Sequence, residues 1–242
     1  MNIFLHRDDL RIHDNKGLRK ASEDGKVVPV YIEDPRIREK TGKNKKAFRE
    51  EGIRKLAEKY QNKDSGLIIR KGKTRKVVKE LIEDFDTDKI FFNHSYTPLK
   101  RYTGNEVRSM DIAVESFHDR MLVSPKQLRQ EYDTFSPFYR EWKDKEKSDA
   151  FETPENLAKV EAEIPESAIN TSADIPEAGE DIALEKWSDF RKNRLKSYKN
   201  NRDDVGNPES VSRLSAYYSS GMLGLRKVLS DVEDLIEKED DS

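Results

Sequence analysis

The 242-residue chain contains no cysteine, which excludes disulfide staples and thiolate metal sites and suits a reducing cytosol. Histidine is scarce too: His6, His13, His94 and His118 are scattered rather than spaced as metal ligands. No GxGxxG or Walker glycine pattern follows any apolar run, so an ordinary dinucleotide or NTP site is disfavoured. Nowhere do about 18 apolar residues run together, so the expectation is a soluble, cytoplasmic protein with no membrane partner. An excess of one charge is also missing. Lys and Arg number 46 against 48 Asp and Glu, a net charge of -2, so any polyanion site is local.

What is present is concentrated in short segments, because only 34% of the residues are hydrophobic while 39% are charged. Apolar runs occur at residues 3–5, 27–32, 67–69, 90–92 and 112–114. Between them, helical spacing is carried by Leu18 and Ala21, by Phe48, Ile53, Leu56 and Tyr60, and by Val77, Val78, Leu81 and Ile82. Continuous apolar strands alternating with amphipathic helices predict an α/β domain over residues 1–142, with a doubly wound, five-stranded parallel sheet. Its ligand crevice belongs at the carboxyl ends of the strands, among residues 7–15, 33–38 and 93–101. Residues 143–180 turn to Glu, Lys, Ala, Ser and the prolines Pro154, Pro165 and Pro176, the composition of a charged linker with little to bury. Helical spacing resumes at Leu184, Trp187, Phe190, Leu195 and Tyr198 and again from Met222 to Ile236. Residues 181–242 are therefore read as a short α-helical segment.

Directly after the first run stands Asp9-Leu10-Arg11-Ile12-His13-Asp14-Asn15, in which arginines and aspartates can form a charge network and the Asp-Asn pair can cap the next helix. Further along come Val27-Val28-Pro29-Val30-Tyr31-Ile32-Glu33-Asp34-Pro35, Phe91-Phe92-Asn93-His94-Ser95-Tyr96-Thr97-Pro98 and Phe117-His118-Asp119-Arg120-Met121-Leu122. In that order they resemble the D-L-R-x-H-D-N segment, second strand, fourth strand and F-H-D-x-x-L segment of the DNA photolyase and cryptochrome family. Phe135-Ser136-Pro137-Phe138-Tyr139-Arg140-Glu141-Trp142 is similar to the family's T-P-F-x-x-x-W, an aromatic cluster that closes the α/β domain. Tyr198-Lys199-Asn200-Asn201-Arg202-Asp203 with Val211-Ser212-Arg213-Leu214-Ser215 resembles the Y-x-x-x-R-D and T-S-R-L-S pair that opens the flavin domain, with Val211 in place of the threonine. Read without the family, Ser212 is an N-cap for the helix that follows.

The resemblance implies light-driven chemistry: an antenna pigment passes excitation to reduced FAD, which donates an electron to a cyclobutane pyrimidine dimer flipped out of DNA. The expected antenna crevice is bounded by His6, Arg7, Asp9, Arg11, Glu33, Asp34, Tyr96, Leu99 and Lys100. The FAD phosphates are expected at Tyr198, Ser212, Arg213, Leu214 and Ser215. Leu99 and Lys100 stand where some relatives hold a folate with asparagine and glutamate, so a deazaflavin or flavin antenna is favoured over folate. The resemblance stops near Val228, short of the isoalloxazine pocket, the relay tryptophans and the lesion cavity, for which Trp142 and Trp187 do not substitute. The expectation is thus a truncated or split photo-lyase, with a second chain supplying the rest of the FAD domain and damaged DNA reached only through that partner. The alternatives are a non-enzymatic chromophore- or nucleotide-binding module, and a gene remnant.

Overall fold

In this computed structural model residues 1–129, 131–166, 175–204 and 206–240 are described. The chain runs β1 (Asn2–His6), α1 (Lys16–Asp24), β2 (Val27–Glu33), α2 (Pro35–Glu39), α3 (Lys43–Gln61), β3 (Ile68–Lys71), α4 (Thr74–Phe85), β4 (Lys89–Asn93), α5 (Pro98–Arg108) and β5 (Ala113–Phe117). There follow α6 (Phe135–Asp144), α7 (Glu180–Asn193), α8 (Tyr198–Asn201), α9 (Ser215–Ser220) and α10 (Leu225–Asp240). All five strands pair in parallel in the order β3-β2-β1-β4-β5, the doubly wound sheet that the alternating runs predict. The order reverses between β1 and β4, which opens a crevice above their carboxyl ends.

Strand side chains alternate between two hydrophobic layers, as a period of two requires. Phe4 and Phe91 point to one face with Leu18, Phe48, Leu56 and Tyr60 of α1 and α3. Ile3, Leu5, Ile90 and Phe92 point to the other with Val77, Val78, Leu81 and Val107 of α4 and α5. Each such side chain, fully buried, contributes about 1.5–3 kcal/mol. Asn15 starts α1 by accepting from the Leu18 N–H, and Asp34 starts α2 with Pro35 in the first turn.

Two readings of the charged middle and its flanks are corrected. Residues 151–166 lie against the α/β domain instead of crossing open solvent. Leu157 forms a parallel bridge to Val27, the Val27 N–H donates to Asn156 O at 3.0 Å, and Ala158 N–H donates to Val27 O at 2.7 Å. Leu157, Ala158, Val160, Ala162 and Ile164 are small and spaced enough to pack on the two layers despite the polar composition. Of the predicted linker, 167–174 lie outside the described residues. The aromatic run 135–142 does form α6, but no residue of it is buried: Phe135 is 70% exposed and Tyr139 45%. Its rings stack on one another, Phe135 on Tyr139 and Tyr139 on Trp142, rather than closing the domain.

The helical segment shares the core of the α/β domain. Ala183, Trp187, Phe190, Leu214, Tyr217 and Met222 belong to the same layer as α1 and α3, and Tyr217 meets Phe48 edge-on at 5.4 Å. No helix among the described residues is long and apolar enough to cross a membrane.

Candidate functional site

The loop after β1 is built as a clamp, and this is where Asp9 and Arg11 are used. Asp9 accepts from the Arg7 N–H at 2.6 Å and from Asn93 Nδ2 at 2.6 Å, while its carbonyl contacts His6 Nδ1. Arg11 donates to Asp119 at 2.5 Å, to Asp14 O and to Gly221 O. Arg226, at the start of α10, meets Asp14 at 2.5 Å and also binds Asp119. The Glu180 carboxylate accepts from the N–H groups of Ile12 and His13, each at 3.0 Å. Gly221 (φ +67°) and Gly224 let the chains approach: a β-carbon on Gly221 would lie 1.9 Å from the Asp8 carbonyl oxygen, and one on Gly224 2.1 Å from Asp14 Oδ2. The motif therefore joins the helical segment to the sheet, and buried hydrogen bonds on Asp9 and a buried ion pair on Arg11 hold both side chains within the protein.

A cavity of about 330 Å³ opens beside this clamp, above the carboxyl ends of β1, β2 and β3 and against α5. Of the nine expected crevice residues, His6, Arg7, Glu33, Asp34 and Lys100 line it, while Asp9, Arg11, Tyr96 and Leu99 do not. The expected loop at 93–101 is short because α5 begins at Pro98, which places Leu99 and Lys100 on the first helical turn. Tyr96 points elsewhere, its hydroxyl 2.8 Å from His118 Nδ1.

Tyr31, Ile32, Ile37, Ile53, Ile69, Phe92 and Val107 make the cavity largely apolar, and cations gather at one end. Arg49 donates to the Tyr31 hydroxyl at 2.9 Å and to Asp8 at 2.9 Å, and Lys100 also binds Asp8. Burial opposes ionisation of Asp8, yet Arg49, Lys100 and Arg120 outweigh it and hold the carboxyl well below the usual carboxylate range. Burial, with Arg49 nearby, pushes Lys100 down to about 8 against the pull of Asp8. Burial also lowers Arg7, to about 10, so both remain cationic at neutral pH. Asp34 is held low despite burial by Arg36 and by the Thr74 N–H and hydroxyl, which ties α2 to α4 at the rim. Lys46 on the wall has no carboxylate partner among the described residues. Such a pocket can hold a planar ring on its apolar wall and a charged or acceptor edge at its cationic end. Arg49 and Thr103 were missed in the sequence because a residue on the polar stripe of a helix looks like any solvated position.

The expected phosphate residues fall on short elements. Tyr198 begins α8 and packs edge-on to Phe190 at 5.8 Å. Arg213 has left-handed backbone (φ +53°) and donates to Pro208 O; Leu214 is buried and Ser215 opens α9. Ser212 is not the cap it was read as: Leu214 occupies that position and no side chain caps α9. Among the described residues no hydrogen bond or ring contact joins Tyr198 to Ser212, Arg213, Leu214 or Ser215.

A family model described as DNA photolyase matches residues 2–156. The deoxyribodipyrimidine photo-lyase of Halobacterium salinarum is 28% identical over 257 residues, covering 94% of this chain and 53% of its own. An uncharacterized 31.6 kDa protein of Synechococcus sp. PCC 6716 is 26% identical over 260 residues, covering 98% of this chain and 90% of its own. The crystal structure of a bacterial class III photolyase from Agrobacterium tumefaciens shares the fold, with a TM-score of 0.82 at 24% identity over 98% of this chain and 53% of that one. The chain spans about half the length of the curated photo-lyases it matches.

Proposed function

Because the chain belongs to the DNA photolyase family, we propose that its α/β domain holds a light-absorbing pigment in the cavity beside β1, as the light-harvesting half of a deoxyribodipyrimidine photo-lyase activity. The cavity carries this reading: about 330 Å³ is within the range of small-molecule sites, and it lies where doubly wound sheets bind ligands. Its residues suit a deazaflavin or flavin. The ring would lie against Ile37, Ile53, Ile69 and Phe92, and its carbonyl edge would face Arg7 and Lys100. Lys100 is a donor where a folate-holding site has a carboxylate acceptor, which disfavours folate.

FAD, when bound, supplies the light-driven electron for cleaving a pyrimidine dimer; in this chain only Tyr198, Ser212, Arg213 and Ser215 would begin to hold its phosphates. The ring and adenine gain little apolar burial from those residues, so FAD affinity in this chain alone rests on a few hydrogen bonds and is weak. Completion of the FAD site, and access to damaged DNA, is assigned to further polypeptide. The absence of cysteine suits work in the cytoplasm. A second reading, a pigment-binding module without enzymatic activity, is favoured by the Synechococcus relative of nearly the same length.

Titration of riboflavin or a deazaflavin into the full chain, followed by fluorescence anisotropy, tests the crevice. Binding that Ile37→Trp blocks by filling the cavity and that Lys100→Ala weakens about tenfold supports it. Binding unaffected by both substitutions rejects it.

A further inference from the structure

A second cavity, of about 190 Å³, shares only Arg7 with the pigment crevice. Three guanidinium groups line it, those of Arg7, Arg101 and Arg108, together with the imidazoles of His94 and His118, and none of its lining residues is Asp or Glu. Arg7 and Arg108 both lie over the Phe92 ring, 5.4 and 5.0 Å from its centroid. Their hydrogen bonds go to neutral acceptors. Arg7 donates to Lys100 O and, at 2.9 Å, to Thr103 Oγ1; Arg108 donates to Asn105 Oδ1 at 2.8 Å and to Ser116 Oγ at 3.1 Å. Asp8 is bonded to Arg49 and Lys100, and Asp9 to Asn93 and the Arg7 backbone N–H, so neither is hydrogen-bonded to the Arg7 guanidinium, though both attract its charge. Arg101 is exposed and has no carboxylate partner among the described residues.

Ser95 gives a second, independent observation. It is 4% exposed, it borders this cavity, and its hydroxyl has no hydrogen-bond partner among the described residues. A buried hydroxyl without a partner is costly, and guanidinium groups with no carboxylate on the cavity wall between them repel one another; one oxyanion relieves both. His94 is kept neutral by burial and by its cationic neighbours, with its pKa lowered to about 4, and it stacks on His118 at 4.2 Å. It contacts Arg108 Nη2 through Nδ1 at 2.9 Å and so helps hold that guanidinium at the cavity.

We propose that this cavity is an oxyanion site that takes a phosphate group, with Arg7, Arg101 and Arg108 as charged donors and the Ser95 hydroxyl as a neutral one. The phosphate is either the free ion or the monoester of a small nucleotide. The site borders the pigment crevice at Arg7, while its other donors, Arg101, Arg108 and Ser95, lie outside that crevice. Arginine suits the task because its fork matches two oxygens of a phosphate at once.

Isothermal titration of inorganic phosphate into the full chain, at constant ionic strength set with chloride, tests this. The expected result is one-site binding that Arg101→Ala and Ser95→Ala each weaken about tenfold, while Lys46→Ala in the pigment crevice leaves it unchanged. AMP titrated in parallel separates the sources: tighter binding than phosphate assigns the monoester, and failure to displace phosphate assigns the free ion. Phosphate affinity that neither Arg101→Ala nor Ser95→Ala alters overturns the site, as does binding lost only in Lys46→Ala. Flavin anisotropy in the same variants reads the crevice separately, so failure of one site leaves the other standing.

Discussion

Two clusters of arginine flank the loop that follows β1, and they are neutralised differently. Arg11 and Arg226 face Asp14 and Asp119, two cations against two carboxylates, all four buried and mutually bonded. Arg7, Arg101 and Arg108 surround a cavity whose walls carry no carboxylate. The first cluster makes most of its hydrogen bonds within itself and to backbone carbonyls, and it acts as a joint between the sheet and α10. The second keeps its positive charge available. Clustered arginine thus produces architecture in one place and binding capacity in the other, and the deciding factor is whether a carboxylate stands among the guanidinium groups.

The largest expected effect comes from breaking the closed cluster. Arg226→Met leaves Asp14 and Asp119 with one guanidinium between them, and should destabilise the fold by about 3–5 kcal/mol, read as a lower urea midpoint. A loss below about 1 kcal/mol would mean that water already screens the pair. Wedging the same joint apart is the next test. Gly221→Ala puts a β-carbon against the Asp8 carbonyl at a left-handed position and should cost about 3 kcal/mol, whereas a wild-type midpoint would show that α9 and the loop can separate freely.

The open cluster should respond to protons and anions rather than to packing. His94 has a folded pKa near 4, against 6.5 for the free side chain, because burial, His118 and Arg108 disfavour its cation. The unfolded chain therefore takes up the proton first, and this group's contribution makes stability fall as pH drops from 6.5 toward 4. Its ring resonances in NMR should titrate near 4 and shift upward when phosphate is added; titration near 6.5 in both conditions would remove the cationic neighbours from the picture. Smallest of all should be the effect of Arg101→Ala on stability, within about 0.5 kcal/mol, since the side chain is exposed and bonded to no carboxylate. A larger loss would make Arg101 part of the joint and erase the contrast between the clusters.

Much of the α/β domain was legible because its signals are local. The apolar runs became β1 to β5, and the helical spacings through Phe48 and Val77 became α3 and α4. The helix α5 was hidden by polar residues, since only Thr103, Gly104 and Val107 of its eleven positions are buried. Half of the crevice was legible for the same local reason: a residue at a strand's carboxyl end, such as Arg7 or Asp34, has few other places to point. Asp9 and Arg11 satisfy that rule equally well, yet their side chains are held by Asn93 and Asp119.

Periodicity, strand-end motifs and their order were enough to determine the sheet, its parallel connections and the family, because each of those properties is set by residues a few positions apart. The partner of a charge is not local. Asp119 lies 108 residues from Arg11, and Arg226 lies 212 residues from Asp14. Only the folded chain sets Asp119 beside Arg11 and, returning through residues 151–166 and the turn at Gly221, brings Arg226 to Asp14 and Asp119, while no carboxylate lines the other arginine cavity. That arrangement decides which arginines are joints and which are open to a ligand, since a guanidinium's free energy depends on its distance from an opposite charge and not on its neighbours in sequence.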